Sequence, residues 1–254
     1  MSNNPHIVEE MLRHQRDFNN ELSQISFIRS PIHVAYNPTI YAAEPYERFL
    51  QMYCCTEKKI IFLGMNPGPF GMCQTGVPFG DVIFVQQWLQ INGKVTQPNY
   101  ICEKRRIQGF NCKRREISGC RFWNFFKELC LTPDIFFKNS IVFNYCPLAF
   151  MKMDGQNITP PEFKGDLKSL KIALEETCDR NLVEVVKLLK PEVIIGIGRY
   201  AEKRIRYALN ELIAINNIEI LYMPHPSGRS TQSKNWAKKA KVVLEDNNLE
   251  HYFQ

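Results

Sequence analysis

The stretch from residue 60 to residue 72, Ile-Ile-Phe-Leu-Gly-Met-Asn-Pro-Gly-Pro-Phe-Gly-Met, limits the possible folds of this chain more than any other. It begins with apolar, β-rich residues, and two prolines and three glycines then follow within nine positions. This pattern is typical of a buried parallel strand that ends at the edge of a sheet. Ligands of open α/β sheets bind outside the carboxyl ends of strands, so Asn66 lies where a functional side chain is expected. On this stretch alone, an asparagine that merely tolerates a tight turn is the more ordinary interpretation.

Further apolar runs with the same character occur at residues 140–145, 192–198 and 218–223. Helical patterns separate them, and parallel strands need such crossovers, which are right-handed. We therefore predict an α/β fold of three α/β/α layers around a central four-stranded parallel sheet, in a single domain over residues 1–254. We expect an N-terminal helix within residues 1–25, later helices at 46–53, 82–91, 122–130, 167–189, 199–215 and 233–246, an irregular crossing at 31–45, an exposed excursion at 94–119 and a loop at 151–165.

Polar residues beside proline end three of the four predicted strands. They are Asn66, Asn144 and His225, and the last of these lies between two prolines. The carboxyl ends of parallel strands share one edge of the sheet, so these side chains are expected to converge. A strand-end cap for the asparagines and a structural turn for the histidine are the alternatives for each residue taken alone.

Composition limits the classes of function. The nine cysteines are an odd number and no apolar leader precedes them, which favours reduced thiols in an intracellular protein. The cysteines 102, 112, 120 and 130 lack the close pairs of zinc sites, so no metal is expected. The sequence has no apolar run of about 20 residues that would span a membrane. Gly64 to Gly71 lacks the Lys-Ser/Thr of a phosphate loop, and Gly196-x-Gly198 lacks the remainder of a dinucleotide fingerprint.

The formal charge of +6 is concentrated in two segments. Such segments attract phosphates, although a solvated basic face is their commoner role. The first contains Lys104, Arg105, Arg106, Lys113, Arg114, Arg115 and Arg121, and the second contains Arg229, Lys234, Lys238, Lys239 and Lys241.

The string GMNPGPFGMCQTGVPFGD at residues 64–81 resembles the first motif of the single-strand-selective monofunctional uracil-DNA glycosylases, within the uracil-DNA glycosylase superfamily. Residues 143–148 (FNYCPL) and 224–227 (PHPS) agree with it, and the resemblance covers about residues 30–246. It implies the uracil-DNA glycosylase fold. It also implies base-excision repair, in which the N-glycosidic bond of uracil in DNA is hydrolysed and an abasic site is left.

Hydrolysis of that bond releases the base as an anion and leaves an oxocarbenium-like sugar, so the enzyme must stabilise the base, hold a water and select uracil. A neutral His225 can donate a hydrogen bond to the carbonyl oxygen where charge accumulates, and Asn66 can orient the water. The amide of Asn144 matches the ring N–H and carbonyl of uracil, and Phe79 can stack on the flipped base. The resemblance implies the same four roles.

The resemblance implies further parts of the site. Backbone N–H groups near Met65 and Phe79 would help to hold the base, and Gly68 would leave room beside the uracil five-position for oxidised bases such as 5-hydroxymethyluracil. A loop after His225 would fill the gap in the duplex, and here the sequence has Gly228 and Ser230-Thr231 where a more proline-rich loop is expected. The predicted DNA-binding residues are Ser227, Gly228, Arg229, Ser230, Lys234, Lys238 and Lys239.

We therefore predict a monofunctional glycosylase that needs no cofactor and acts as a monomer on single- and double-stranded DNA. Its strand-end motifs contain no lysine for a Schiff-base lyase step. The expected location is the nucleus if the source is eukaryotic and the cytoplasm otherwise. A non-catalytic damaged-DNA-binding module is the rival from another class. A mismatch-specific uracil/thymine glycosylase is the rival within the superfamily, but that branch would place Asn at the position of His225.

Overall fold

A computed structural model describes residues 5–228 and 234–254 of the protein. In chain order its strands are β1 Val34–Tyr36, β2 Ile60–Gly64, β3 Ser140–Asn144, β4 Ala149–Met151, β5 Asn157–Ile158, β6 Val193–Ile197 and β7 Glu219–Met223. Its α-helices are α1 Pro5–Ser23, α2 Pro38–Tyr41, α3 Ala43–Tyr53, α4 Met72–Thr75, α5 Val82–Gln87, α6 Ile117–Cys130, α7 Pro133–Asn139, α8 Lys168–Leu189, α9 Arg199–Ala208, α10 Asn210–Asn216 and α11 Trp236–Asp246. Short 3-10 helices lie at Glu103–Arg105, Gly109–Asn111, Pro160–Glu162, Gly165–Leu167 and Glu250–Phe253.

The central sheet has four parallel strands in the order β3-β2-β6-β7. In its register Gly64 of β2 is opposite Asn144 of β3, and Leu63 is opposite Gly196 of β6. The strands contain mainly buried apolar residues, because helices cover both faces of the sheet. Apolar and polar residues therefore do not alternate along these strands. The predicted α/β class with a four-stranded parallel sheet is confirmed.

Successive residues of β2 show how the two faces of the sheet are covered. Ile61 lies against α1 and α8, where it lines a cavity together with Met11, Phe18 and Leu182. The next residue, Phe62, faces the other way, because side chains alternate along a strand. Its ring contacts four other phenylalanine rings at centroid distances of 5.1 to 6.1 Å; these are Phe122, Phe126, Phe136 and Phe253.

A second, antiparallel sheet in the order β1-β4-β5 corrects two sequence predictions. β1 lies in the segment expected to be an irregular crossing (31–45), β5 lies in the segment expected to be a loop (151–165), and β4 ends at the first residue of that loop. The strands are three, three and two residues long, which is too short for an alternating pattern to stand out from the sequence.

Residues 94–119, expected to form an exposed excursion, are exposed at most positions but are anchored to the core at a few. Cys102, Ile107 and Cys112 are buried, and the first two pack in a core cluster with Tyr36 of the small sheet. The Tyr36 hydroxyl accepts a hydrogen bond from the Cys102 backbone N–H (2.7 Å) and donates one to the Arg105 carbonyl (2.9 Å). A few apolar residues thus anchor a mainly polar segment. They do not recur with the period of a helix or a strand, so the sequence pattern could not predict their burial.

Several helix boundaries also differ from those predicted. α5 is shorter than the expected 82–91, since Gln90 has a positive φ of 56°. The expected helix at 199–215 is divided at Leu209 into α9 and α10. α6 ends at Cys130, before the predicted stop at Thr132-Pro133, but the sequence prediction did not include α7, which begins at Pro133, a position that proline favours because it has no N–H to leave unpaired.

All nine cysteines lie in the described ranges and are free thiols. Within those ranges, no group of three or more His, Cys, Asp and Glu side chains is placed to hold a metal ion. The described helices include none that is long and apolar enough to cross a membrane.

Candidate active site

The carboxyl edge of the central sheet brings together the polar residues predicted from the strand ends. Asn144 ends β3, while Asn66 and His225 each lie two residues beyond their strands, β2 and β7. Phe79 belongs to the same group, since its ring centroid is 6.4 Å from that of His225. The predicted convergence of these side chains is therefore present in the fold.

Gly64 leaves the space in which two of these side chains lie, a requirement that the sequence analysis missed. A Cβ atom at this position would be 2.6 Å from Asn144 Oδ1 and 2.7 Å from Phe79 Cε2. The Asn144 amide is held on its other side, because Nδ2 donates a hydrogen bond to the Met72 sulfur (3.2 Å). The Asn144 side chain therefore has a fixed direction at the end of β3.

Phe79 is held in an unusual backbone conformation, with φ at 54°. This region costs a bulky residue on the order of 1 kcal/mol or more, so surrounding contacts must maintain it. Its carbonyl accepts a hydrogen bond from Trp123 Nε1 (3.1 Å), and its ring stacks on Phe122 at 4.9 Å with an interplanar angle of 25°. α6 thus supplies both contacts and fixes the ring.

His225 is held as a neutral imidazole. The Ser227 backbone N–H donates a hydrogen bond to Nδ1 (3.1 Å), which places the imidazole proton on Nε2. Burial lowers the pKa of His225 to about 4, because the charged form loses its hydration. The ring is therefore a hydrogen-bond donor through Nε2 at neutral pH.

Two further contacts hold the loop around His225. Arg121 Nη1 donates to the carbonyl oxygens of Pro226 and Ser227, each at 3.0 Å. Trp236 Nε1 of α11 donates to the Pro224 carbonyl at 2.6 Å. The sequence predicts that Arg121 belongs to a basic segment that attracts phosphates. Its hydrogen bonds show instead that it connects α6 to the loop around His225.

Asn66 is half-buried, and its Nδ2 donates a hydrogen bond to the Leu148 carbonyl (3.1 Å). With the amide nitrogen on Leu148, Oδ1 is turned to accept. The backbone at Met65 is fixed too, because its carbonyl accepts from the Cys146 N–H (2.9 Å). The loop that follows β2 is in this way tied to the loop that follows β3.

A carboxylate that the sequence analysis did not consider faces Gly68. A Cβ atom on Gly68 would lie 2.6 Å from Cδ of Glu116, and the Phe70 backbone N–H donates to Glu116 Oε2 (3.3 Å).

Buried Asp81 accepts hydrogen bonds from Arg115 Nε (2.8 Å) and the Glu116 backbone N–H (3.1 Å). Burial opposes ionisation of Asp81, but these hydrogen bonds and one from Cys120 leave its pKa below the usual value.

The predicted DNA-binding residues are only partly within the described ranges. Arg229 and Ser230 lie outside them. Gly228, Lys234, Lys238 and Lys239 are exposed, while Ser227 is half-buried. In α11 the buried side chains are Trp236, Ala240 and Leu244, spaced four apart, so the lysines lie on the opposite face.

The first basic segment divides into two parts. Arg115 and Arg121 turn inward to Asp81 and to the His225 loop. Arg114 instead lies over the Phe70 ring, 3.8 Å from its centroid, and Arg105 lies 5.2 Å from it. Arg115 and Arg121 therefore stabilise the fold through hydrogen bonds, whereas Arg105 and Arg114 form a cationic surface around the Phe70 ring.

A cavity of ≈ 40 Å³ lies behind Asn144, between the sheet and the helices α1 and α8. Its lining includes Asn144, Met72 and Pro78 but none of Asn66, Phe79 and His225. This cavity is therefore not the space toward which Asn66, Phe79 and His225 are directed.

Comparison with known proteins adds to this geometry. The family model described as the uracil DNA glycosylase superfamily matches residues 51–247. A protein of Mus musculus, named single-strand selective monofunctional uracil DNA glycosylase, is 42% identical over 241 residues, covering 94% of this chain and 84% of its own. The Bos taurus protein of the same name is 41% identical and is 86% covered. The solved structure of wild-type Pedobacter heparinus SMUG2 aligns with a TM-score of 0.62 at 20% identity, covering 91% of this chain and 98% of that one.

Proposed function

The chain belongs to the uracil DNA glycosylase superfamily, and from this we propose how its strand-end residues select a base in DNA and hydrolyse its N-glycosidic bond. It is a monofunctional uracil-DNA glycosylase, a hydrolase of N-glycosyl bonds in DNA base-excision repair. The finer proposal is that it releases uracil and 5-substituted oxidised uracils, such as 5-hydroxymethyluracil, from single- and double-stranded DNA.

One observation carries the proposed mechanism. His225 has its Nδ1 occupied by the Ser227 N–H and its pKa lowered to about 4, so that a neutral Nε2–H donor stands at the sheet edge. We assign this donor to the uracil O2, where negative charge accumulates as the bond to the sugar breaks. A uracil anion is a fair leaving group, so a neutral donor is sufficient and no full proton transfer is needed.

The other side chains divide the remaining tasks. Asn66 Oδ1 accepts from a water and aims it at the sugar carbon, which becomes electrophilic as the base departs. The water oxygen bonds to this carbon, the electron pair of the broken N-glycosidic bond leaves with the uracil anion, and the proton that the water loses passes to solvent. Asn144 accepts from the uracil N3–H and donates to O4, whereas cytosine presents the opposite pattern. A mismatch that leaves these buried groups unpaired costs on the order of 1–3 kcal/mol for each group. Phe79, fixed by Phe122, stacks on the flipped base.

DNA would approach over the exposed lysines of α11, and phosphate contacts there would position the strand without reading its sequence. We propose that the protein works as a monomer, with Met65 backbone groups and Gly68 lining the base pocket. Its location would be the nucleus if the source is eukaryotic and the cytoplasm otherwise.

The test is product analysis with a uracil-bearing single strand in EDTA. Mass spectrometry should find free uracil and an uncut strand with one abasic site, since no lyase step is expected. Strand cleavage without added base would contradict the monofunctional mechanism. Binding without any release of uracil at any salt concentration would favour the rival, a non-catalytic damaged-DNA-binding module.

A further inference from the structure

Glu116 is a half-buried carboxylate whose side chain occupies the space beside Gly68. A Cβ on Gly68 would lie 2.6 Å from Glu116 Cδ, and a Cβ on Gly71 would lie 2.7 Å from Glu116 Cγ. These two glycines therefore let the carboxylate approach the backbone of the loop that begins at Asn66.

One face of α6 joins Glu116 to the stacking residue of the site. Glu116 is the residue that immediately precedes this helix, and Gly119 three residues later packs its Cα against the Phe79 carbonyl. One further turn along, Trp123 donates to the same carbonyl at 3.1 Å. Residues three and four apart lie on one side of a helix, so the carboxylate extends the surface that holds Phe79.

The contacts of Asn144 indicate which edge of the base faces this carboxylate. Asn144 Nδ2, the donor assigned to uracil O4, points toward Met72. Met72 belongs to the turn that contains Gly68, where the Cys73 N–H donates to the Gly68 carbonyl (3.2 Å). In the pyrimidine ring C5 is bonded to the carbon that carries O4, and it lies across the ring from O2, the atom assigned to His225. The five-position is therefore the edge that is directed to the Gly68 turn.

We propose, on the basis of the function proposed above, that the Glu116 carboxylate is the specificity-determining group for the substituent at the uracil five-position. It accepts a hydrogen bond from a substituent that can donate one, such as hydroxymethyl. An ionised carboxylate offers about four acceptor sites, so it can accept from several donors at once, of which the Phe70 N–H is one. Substituents that carry negative charge are repelled, and the methyl group of thymine is disfavoured because it displaces water from a charge without replacing the hydrogen bond.

The contacts of the backbone fix where this carboxylate lies. Asp81 is fully buried and accepts from the Glu116 N–H and from Arg115. The Phe70 N–H holds the head group itself. A carboxylate that is fixed before the base arrives loses less conformational entropy on binding, which favours discrimination between substituents.

Glu116→Gln tests the inference, because the amide keeps an oxygen for the Phe70 N–H while the charge is removed. Three single strands, carrying uracil, 5-hydroxymethyluracil or 5-carboxyuracil, compete in one tube, and the free bases are counted by mass spectrometry. We expect hydroxymethyluracil release to fall about tenfold relative to uracil, as for replacement of a charged hydrogen-bond acceptor by a neutral one. Release of 5-carboxyuracil should rise relative to uracil. Glu103→Gln, an exposed glutamate paired with Arg106 in the neighbouring segment, is the matched control and should change neither ratio.

The opposite movement of the two ratios is the signature of direct contact, because a merely structural role would lower all three rates together. If both ratios stay within twofold of those of the unaltered protein, the inference is overturned. If Glu116→Gln does not fold, Glu116→Ala with the same readout replaces it. Failure of the unaltered protein to release uracil would instead refute the proposed function, so the two failures are distinguishable.

Discussion

Gly64→Ala should damage catalysis far beyond its effect on folding. The new Cβ would lie 2.6 Å from Asn144 Oδ1 and 2.7 Å from Phe79 Cε2, whereas ordinary contacts of a Cβ begin at 3.4 Å. The side chains assigned to reading and stacking the base must therefore each move by roughly 0.7–0.8 Å. A displacement of about 1 Å in a positioned group can lower a rate about 10²-fold, and we expect a loss of that order in uracil release.

Gly196→Ala is the matched control for this substitution. Gly196 lies in β6, and its added Cβ would be 2.6 Å from the backbone N and Cα of Glu202, on α9 and away from the base. Both variants should melt at lower temperatures, because each forces a tight contact between a strand of the central sheet and a group packed against it.

The assay is single-turnover release of uracil, normalised to the folded fraction measured by circular dichroism at the assay temperature. The account predicts that Gly64→Ala loses about 10²-fold per folded molecule and that Gly196→Ala stays within a few-fold of the unaltered protein. Equal losses in the two variants would refute the claim that Gly64 serves the site rather than the sheet.

Other predictions concern pH, pocket size and salt. Because burial lowers the pKa of His225 to about 4, the rate of uracil release should show no break near pH 6.5, and its fall in acid should come near pH 4; a break at 6.5 would mean that this histidine is not held neutral. The same shift makes the free energy of unfolding decrease as pH falls from about 6.5 through 4, because only the unfolded chain gains that proton. Gly68→Tyr must displace Glu116 and should lower hydroxymethyluracil release far more than uracil release, whereas equal losses would indicate collapse of the loop. Replacing Lys238 and Lys239 by Gln should weaken binding of uracil-containing and undamaged DNA alike and make the salt dependence shallower by roughly one unit per lost contact; an unchanged slope would place α11 away from DNA.

The parts of the site that could be predicted from the sequence are local. Each of Asn66, Asn144 and His225 follows an apolar run and has a proline within the next three residues, and parallel strands then bring their ends to one edge. The Pro-His-Pro sequence also indicated a fixed histidine. Apolar runs separated by helix patterns predicted the α/β class and placed the four strands of the central sheet to within about two residues at either end, whereas the strands of the small sheet were not predicted.

What could not be predicted depends on contacts between distant parts of the chain. Gly64 is one of several glycines in its motif, and only the fold reveals that Asn144 and Phe79 need its missing Cβ. Glu116 lies in a polar segment without periodicity, 48 positions from Gly68. Arg121 looked like one member of a basic run, and its hydrogen bonds to the His225 loop span more than a hundred residues.

The central claim is that Asn66 and His225 perform the chemistry at the sheet edge. It is tested most directly by single-turnover release of uracil from a single strand by Asn66→Ala and His225→Ala, alongside Asn210→Ala and His33→Ala as exposed controls. Loss of one charge-stabilising donor costs about 10²–10³ in rate, so the two site variants should fall by that order at nearly unchanged melting temperatures while the controls do not. Near-normal rates in either site variant would contradict the role assigned to that residue.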